Sequence, residues 1–177
     1  MSIALPRRDD RPAVTSTLPL AAQILHWLTA VLVIGLFGSG VMMTQLGGGP
    51  LADLLYLTHK TAGAGLFCLV LVRLCYRLVA QVTARWQPGV ASHPVHAILY
   101  LGLLVVPLIG WAGTSGYGAR ELLFGLELPA FWPWAADHAQ LLLASHAWLA
   151  FGLIALVVVH IGLAIGGYLA SGTTERR

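Results

Sequence analysis

Charged side chains are scarce in this chain. Only 10% of its 177 residues are charged, whereas 58% are hydrophobic, and the mean hydropathy is +0.79. Soluble globular domains carry about 25% charged residues, so the composition is a poor match to that class. Intrinsic disorder is excluded as well, because it requires low hydrophobicity and high net charge. Binding to nucleic acid requires a strongly basic face, and a formal net charge of only +3 does not provide one, so a nucleic-acid partner is excluded.

Cysteine is equally scarce. The two cysteines, Cys68 and Cys75, are seven residues apart in one apolar stretch. On a helix this spacing corresponds to about 10 Å along the axis. A disulfide needs α-carbons within about 7 Å, so these two residues cannot be bonded to each other.

The chain is rich in long apolar segments. A membrane-spanning helix needs about 20 mostly apolar residues. Four stretches qualify, at about 18–46, 54–79, 96–114 and 141–169, and breakers at 47–50, 87–89 and 115–138 separate them. We therefore predict an all-α membrane protein, a single domain over 1–177, with four transmembrane helices in an up-down-up-down bundle and tails at 1–17 and 170–177.

The placement of Lys and Arg predicts the orientation. Eight of the ten fall on one side of the predicted membrane: Arg7, Arg8, Arg11, Arg73, Arg77, Arg85, Arg176 and Arg177. Only Lys60 and Arg120 fall on the other. We expect a multi-pass membrane protein with both termini cytoplasmic and membrane lipid around it. Phe131, Trp132 and Trp134 are expected at the outer interface.

Histidines in apolar helices are the most informative feature, since ionisable groups in lipid are costly and usually functional. The chain has seven, namely His26, His59, His93, His96, His138, His146 and His160. His146 and His160 are 14 residues apart, which places them on nearly the same helical face but about 21 Å apart along the axis. That distance is too long for one metal ion to bridge.

The topology sorts four of these histidines into two pairs by depth. His26 and His160 lie near the inner side, and His59 and His146 lie near the outer side. Two imidazoles on opposite faces of a flat macrocycle are what a six-coordinate haem iron requires, and bundles build such sites from facing helices. We therefore predict an inner haem iron held by the first pair and an outer haem iron held by the second.

Other polar residues have weaker signals. Arg73 lies 14 residues after His59, so it faces the same side at the inner depth, where it either pairs with a haem propionate or serves as a topology anchor. His93 and His96 either line a quinone pocket or are interfacial polar residues, and His138 is expected in the outer loop. Lys60 and Arg120 either attract a small anion at the outer surface or are ordinary surface charges.

With these residues in place, the sequence resembles the bacterial cytochrome b561 family of di-haem, four-helix inner-membrane proteins. The resemblance spans roughly residues 18–170. It is carried by Ile24-Leu25-His26-Trp27, His59, Val72-Arg73-Leu74, Tyr100, Pro107-Leu108-Ile109-Gly110, Phe124-Gly125-Leu126-Glu127-Leu128-Pro129, His146 and His160. It implies His26, His59, His146 and His160 as ligands of two haem b groups. The tail 171–177 departs from the ending that is frequent in this family.

The resemblance implies electron transport through the membrane and exchange of electrons with the quinone pool, with ubiquinone as a substrate. Some relatives oxidise superoxide at the outer face, which would make the protein an oxidoreductase; the donor is otherwise a redox protein. One alternative is a b-type cytochrome anchor subunit of a larger oxidoreductase. Another, of a different class, is a His-lined metal transporter, although its histidines should surround one ion within a few ångström. A haem-free structural membrane protein is the third.

Overall fold

Four long helices make up nearly all of the computed structural model, which describes residues 20–83, 94–130 and 136–174. They are α1 (Leu20–Leu46), α2 (Pro50–Val82), α3 (Pro94–Gly116) and α4 (Ala136–Thr174). Each is long and apolar enough to cross a membrane. The prediction of an all-α protein with four membrane-spanning helices is confirmed.

The helices are longer than the apolar runs that reveal them. α2 begins at Pro50 rather than near 54, and α4 extends over Ala136–Thr174 rather than 141–169. Hydropathy marks only the apolar part of a helix, whereas backbone hydrogen bonding continues into polar flanks. Asp53 and Asp137 lie in the first turns of α2 and α4, where a carboxylate interacts favourably with the helix dipole.

Several predictions fall outside the described residues. They concern the N-terminal tail 1–17, Arg85, His93, the aromatic residues Phe131, Trp132 and Trp134, and the terminal Arg176 and Arg177.

The bundle is built from helices that pack on their neighbours in sequence. α1 packs on α2, α2 on α3 and α3 on α4, whereas α1 and α4 touch at few points. Among the described residues, no α-carbon of α2 comes within 8 Å of one in α4. The shared core consists of Val33, Leu66, Val70, Leu103, Val106 and Leu153. α4 therefore packs mainly on α3 and only sparsely on α1.

The two ends of the bundle differ in what they carry. The terminus side is where α1 begins and α4 ends; the loop side holds the α1–α2 turn and the α3–α4 connection. On the loop side, residues 117–130 fold back on α2, because Lys60 Nζ donates to the Ala119 carbonyl at 3.0 Å. The Leu123 N–H donates to Thr61 Oγ1 at 2.9 Å. This connection therefore lies next to His59.

Candidate functional site

A pair of imidazoles from α2 and α4 lies on the loop side. The ring centroids of His59 and His146 are 6.1 Å apart and their planes are at 85°. His146 Nδ1 lies 2.9 Å from the Val106 carbonyl oxygen of α3. A carbonyl only accepts hydrogen bonds, so Nδ1 carries the proton of the neutral ring. Nε2 of His146 is left with a lone pair for a metal.

His59 has the same tautomer for a different reason. Its Nδ1 lies 3.1 Å from Ser39 Oγ of α1. The Ser39 hydroxyl donates its only proton to the Leu36 carbonyl at 3.0 Å. The serine oxygen must therefore accept from His59 Nδ1–H, since a hydroxyl has one donor and two acceptor positions. Nε2 of His59 is again the atom with a free lone pair.

Two glycines give these rings their space. A Cβ added at Gly110 would lie 2.8 Å from His146 Nδ1, and one at Gly40 would lie 3.2 Å from His59 Cε1. Gly110 is one helical turn after Val106, so His146 reaches the Val106 carbonyl because residue 110 has no side chain. The sequence alone shows these glycines only as small helix residues. The signal in the sequence is that Gly110 comes four residues after Val106, which leaves the Val106 carbonyl open to a side chain from another helix.

A second pair lies on the terminus side, from α1 and α4. The ring centroids of His26 and His160 are 6.4 Å apart with planes at 70°. The structure thus brings together both histidine pairs that the sequence predicted. It also places the His96 ring 5.0 Å from that of His160, a contact that sequence reasoning did not foresee.

Arg73 distinguishes the terminus-side pair from the other. Its Nη2 lies 3.0 Å from His26 Nδ1. Arginine has only donors, so His26 Nδ1 accepts this hydrogen bond. A neutral His26 in this contact therefore carries its proton on Nε2. The contact and a metal bond from Nε2 exclude each other as long as the imidazole is neutral.

Positive charge gathers around the same pair. The guanidinium carbons of Arg73 and Arg77 lie 5.5 and 5.6 Å from the centre of the Tyr100 ring, within the range of a cation–π contact. Within the described part of the chain, neither arginine has a carboxylate oxygen within 4.0 Å. Two guanidinium groups without a protein counter-charge favour an anionic ligand at this end.

The two pairs are separate sites. Phe37 of α1 and Phe151 of α4 are in edge-to-face contact, with centroids 5.1 Å apart. On α4, Phe151 lies between His146 and His160 in the sequence. Among the described residues, no group of three or more His, Cys, Asp or Glu side chains is arranged to hold a metal ion. The described residues thus lack the converging ligands that a His-lined metal transporter would need.

The spacing within each pair fits a bis-imidazole iron. A metal–nitrogen bond to histidine is about 2 Å long, so two imidazoles that held one ion between them would have ring centres roughly 6 Å apart. The observed separations are 6.1 and 6.4 Å. Two side chains do not complete a coordination sphere by themselves, and a planar macrocycle would supply the remaining ligands.

The sequence profile of the prokaryotic cytochrome b561 family matches residues 17–169. The chain belongs to the prokaryotic cytochrome b561 family. It is also similar to cytochrome b561 homolog 2 of Escherichia coli (strain K12), at 29% identity over 145 residues that cover 76% of each chain. Membership makes the protein a multi-pass membrane cytochrome that binds b-type haem and transfers electrons. The family predicted from the sequence is confirmed.

The remaining predicted residues lie on the loop side. Arg120 donates to the Leu128 carbonyl at 3.3 Å and lies 3.8 Å from Glu127, so its charge is partly neutralised. Lys60 Nζ donates to the Ala119 carbonyl at 3.0 Å, and no carboxylate among the described residues lies within 4.0 Å of it. His138 lies in the first turn of α4 rather than in the loop where we expected it, because α4 begins earlier than its apolar run.

Proposed function

We propose that this protein is a di-haem cytochrome of the bacterial inner membrane. One haem b is held between His59 and His146, and the other between His26 and His160. The observation that carries the proposal is the ring separation of 6.1 and 6.4 Å in two pairs at opposite ends of the bundle. The Nδ1–H tautomers of His59 and His146 support it further.

The two sites together form an electron path from one side of the membrane to the other. A b-type haem with two histidine ligands takes up and releases single electrons. The ligands of the two sites are 14 residues apart on α4, about 21 Å by helical rise. By the distribution of Lys and Arg, the loop side faces outward and both termini are cytoplasmic.

Arg73 is the residue proposed to hold a carboxylate of the terminus-side haem. Its guanidinium is a planar fork that suits a carboxylate, and it has no protein carboxylate within 4.0 Å among the described residues. Turning toward that carboxylate would release His26 Nδ1. His26 would then be free to take the Nδ1–H tautomer that leaves Nε2 able to bind iron.

The proposed electron partners are the quinone pool and a donor at the outer face. On the terminus side, the His96 ring is 5.0 Å from that of His160, so a quinone contacted by His96 would be adjacent to the haem ligand. On the loop side, Lys60 is next to His59 in sequence, where its charge would attract a small anion such as superoxide. Arg120 would contribute less, because Glu127 is nearby.

Stopped-flow absorbance of the purified protein tests these roles. We expect superoxide to reduce the haem rapidly and added ubiquinone to reoxidise it under anaerobic conditions. Absence of haem reduction by superoxide would remove that donor, and haem that stays reduced in the presence of ubiquinone would remove the quinone. Reduction by neither superoxide nor a ubiquinol would contradict the proposed electron path.

A further inference from the structure

Ser39 of α1 lies against His59 of α2, with its Oγ 3.1 Å from Nδ1 of that ring. We propose that Ser39 is a positioning residue that fixes the tautomer of His59 and lowers the midpoint potential of the loop-side haem. This inference rests on the proposed function, because it assumes that His59 is a haem ligand.

The two hydrogen bonds run in one direction. His59 Nδ1–H donates to Ser39 Oγ, and the Ser39 hydroxyl donates to the Leu36 carbonyl. A terminal acceptor that cannot donate orients the whole series. Thr29 and Thr44 of the same helix also donate to carbonyls of their own helix, those of Leu25 and Val41. A back-bonded hydroxyl is therefore common in α1, and the contact with a histidine is what Ser39 adds.

Position 39 also lies where the His59 ring comes close to the α1 backbone. Gly40 follows it, and a Cβ there would lie 3.2 Å from His59 Cε1. The neighbouring Gly38 has nothing within 4 Å of its added Cβ. The Ser39-Gly40 pair thus supplies a hydrogen-bond acceptor and clearance at adjacent positions. The acceptor orients the imidazole, and the clearance at Gly40 lets the ring lie close to α1.

The chemical consequence concerns the iron. A ligating histidine that donates its second N–H to an acceptor is held in one orientation and is a more basic ligand. A more basic ligand stabilises the oxidised iron relative to the reduced iron, and hydrogen bonding around ligands is a known determinant of haem potential. Removing the Ser39 acceptor should therefore raise the potential of the loop-side haem and weaken its retention.

A redox titration of the full-length, haem-loaded protein tests the proposal with Ser39→Ala and Ser39→Thr. We expect Ser39→Ala to raise the midpoint of one haem and leave the other unchanged, while Ser39→Thr keeps the acceptor and titrates like the original protein. Each tenfold change in the relative stability of the two oxidation states corresponds to 59 mV for one electron. Thr44→Ala is the matched control, because it deletes an exposed hydroxyl five residues further along α1. His160→Ala, which should remove the terminus-side haem, assigns the shifted wave.

The outcomes separate the two levels of the proposal. A protein in which His59→Ala retains both haems contradicts the proposed ligand, whatever Ser39 does. If His59→Ala loses one haem but Ser39→Ala titrates unchanged, the role proposed for Ser39 is wrong. Should Ser39→Ala fail to accumulate, Ser39→Cys provides a weaker acceptor of similar size. An intermediate rise is then expected, and an unchanged midpoint would overturn the proposal.

Discussion

Gly110→Ala should expel one haem and leave the other in place. The new methyl group would lie 2.8 Å from His146 Nδ1 and 3.0 Å from Cε1. It is fixed to the α3 backbone, so the imidazole has to move. To restore an ordinary contact of about 3.5–4.0 Å, the ring must retreat by roughly 0.7–1.2 Å. Metal–ligand distances tolerate only about 0.2 Å, and the 2.9 Å hydrogen bond to the Val106 carbonyl would break as well.

The energetic balance points to a local effect. Overpacking a buried contact costs about 1–3 kcal/mol. Replacing a helical glycine by alanine returns up to about 1 kcal/mol of helix stability. The net loss of roughly 0–2 kcal/mol should leave the fold largely intact while the loop-side haem is lost. The assay is the haem-to-protein ratio from the reduced-minus-oxidised absorbance spectrum, which should fall by half.

Other glycines provide the controls. Gly38→Ala should keep both haems, because its Cβ meets nothing within 4 Å. Gly113 is on the same helix as Gly110, but its added Cβ would lie 2.7 Å from the Leu143 side chain. Gly113→Ala should therefore lower the stability of the protein without a specific loss of the loop-side haem. Gly40→Ala, at 3.2 Å from His59, should weaken the same haem less severely. Full retention of both haems in Gly110→Ala, with unchanged midpoints, would refute the reasoning from ring clearance.

Three further predictions concern charge and the electron partners. Arg73→Gln should lower the midpoint potential of the terminus-side haem, because a positive charge near an iron favours reduction, and it should also weaken the retention of that haem. Redox titration checks this, and an unchanged midpoint would count against the carboxylate contact. Lys60→Gln should slow haem reduction by superoxide and weaken its dependence on ionic strength, while reoxidation by ubiquinone stays the same in stopped-flow traces. His96→Leu should slow reoxidation by ubiquinone without changing reduction by superoxide; equal rates in both would argue for a quinone site elsewhere.

The histidine pairs were predictable because helical geometry fixes rotation and depth. Fourteen residues return His160 to nearly the same face as His146 at a different level, and the alternation of helix direction assigns His26 and His59 their depths. Neither step needs to know how the helices pack. The four long helices could be predicted from apolar composition alone. Their ends could not, because a hydropathy pattern does not detect a polar first turn such as the one that contains Asp137.

Other contacts depend on the lateral arrangement of helices, which a single sequence leaves open. The approach of His96 to His160 requires α3 and α4 to be neighbours with a particular rotation. The same holds for Arg73 against His26, which links α2 to α1. Ser39 is one of several hydroxyls in apolar helices, and its role is visible only once α1 and α2 are docked. Gly110 likewise becomes distinctive only beside the His146 ring.

The haem content of the purified protein tests the central claim most directly. Extracted haem b should be present at about two per chain, as expected for one iron per histidine pair. His59→Ala and His26→Ala should each contain about one, and the double variant should be colourless while keeping its helical circular dichroism. One haem or none in the unmodified chain, or two haems in either single variant, would contradict the assignment of the pairs.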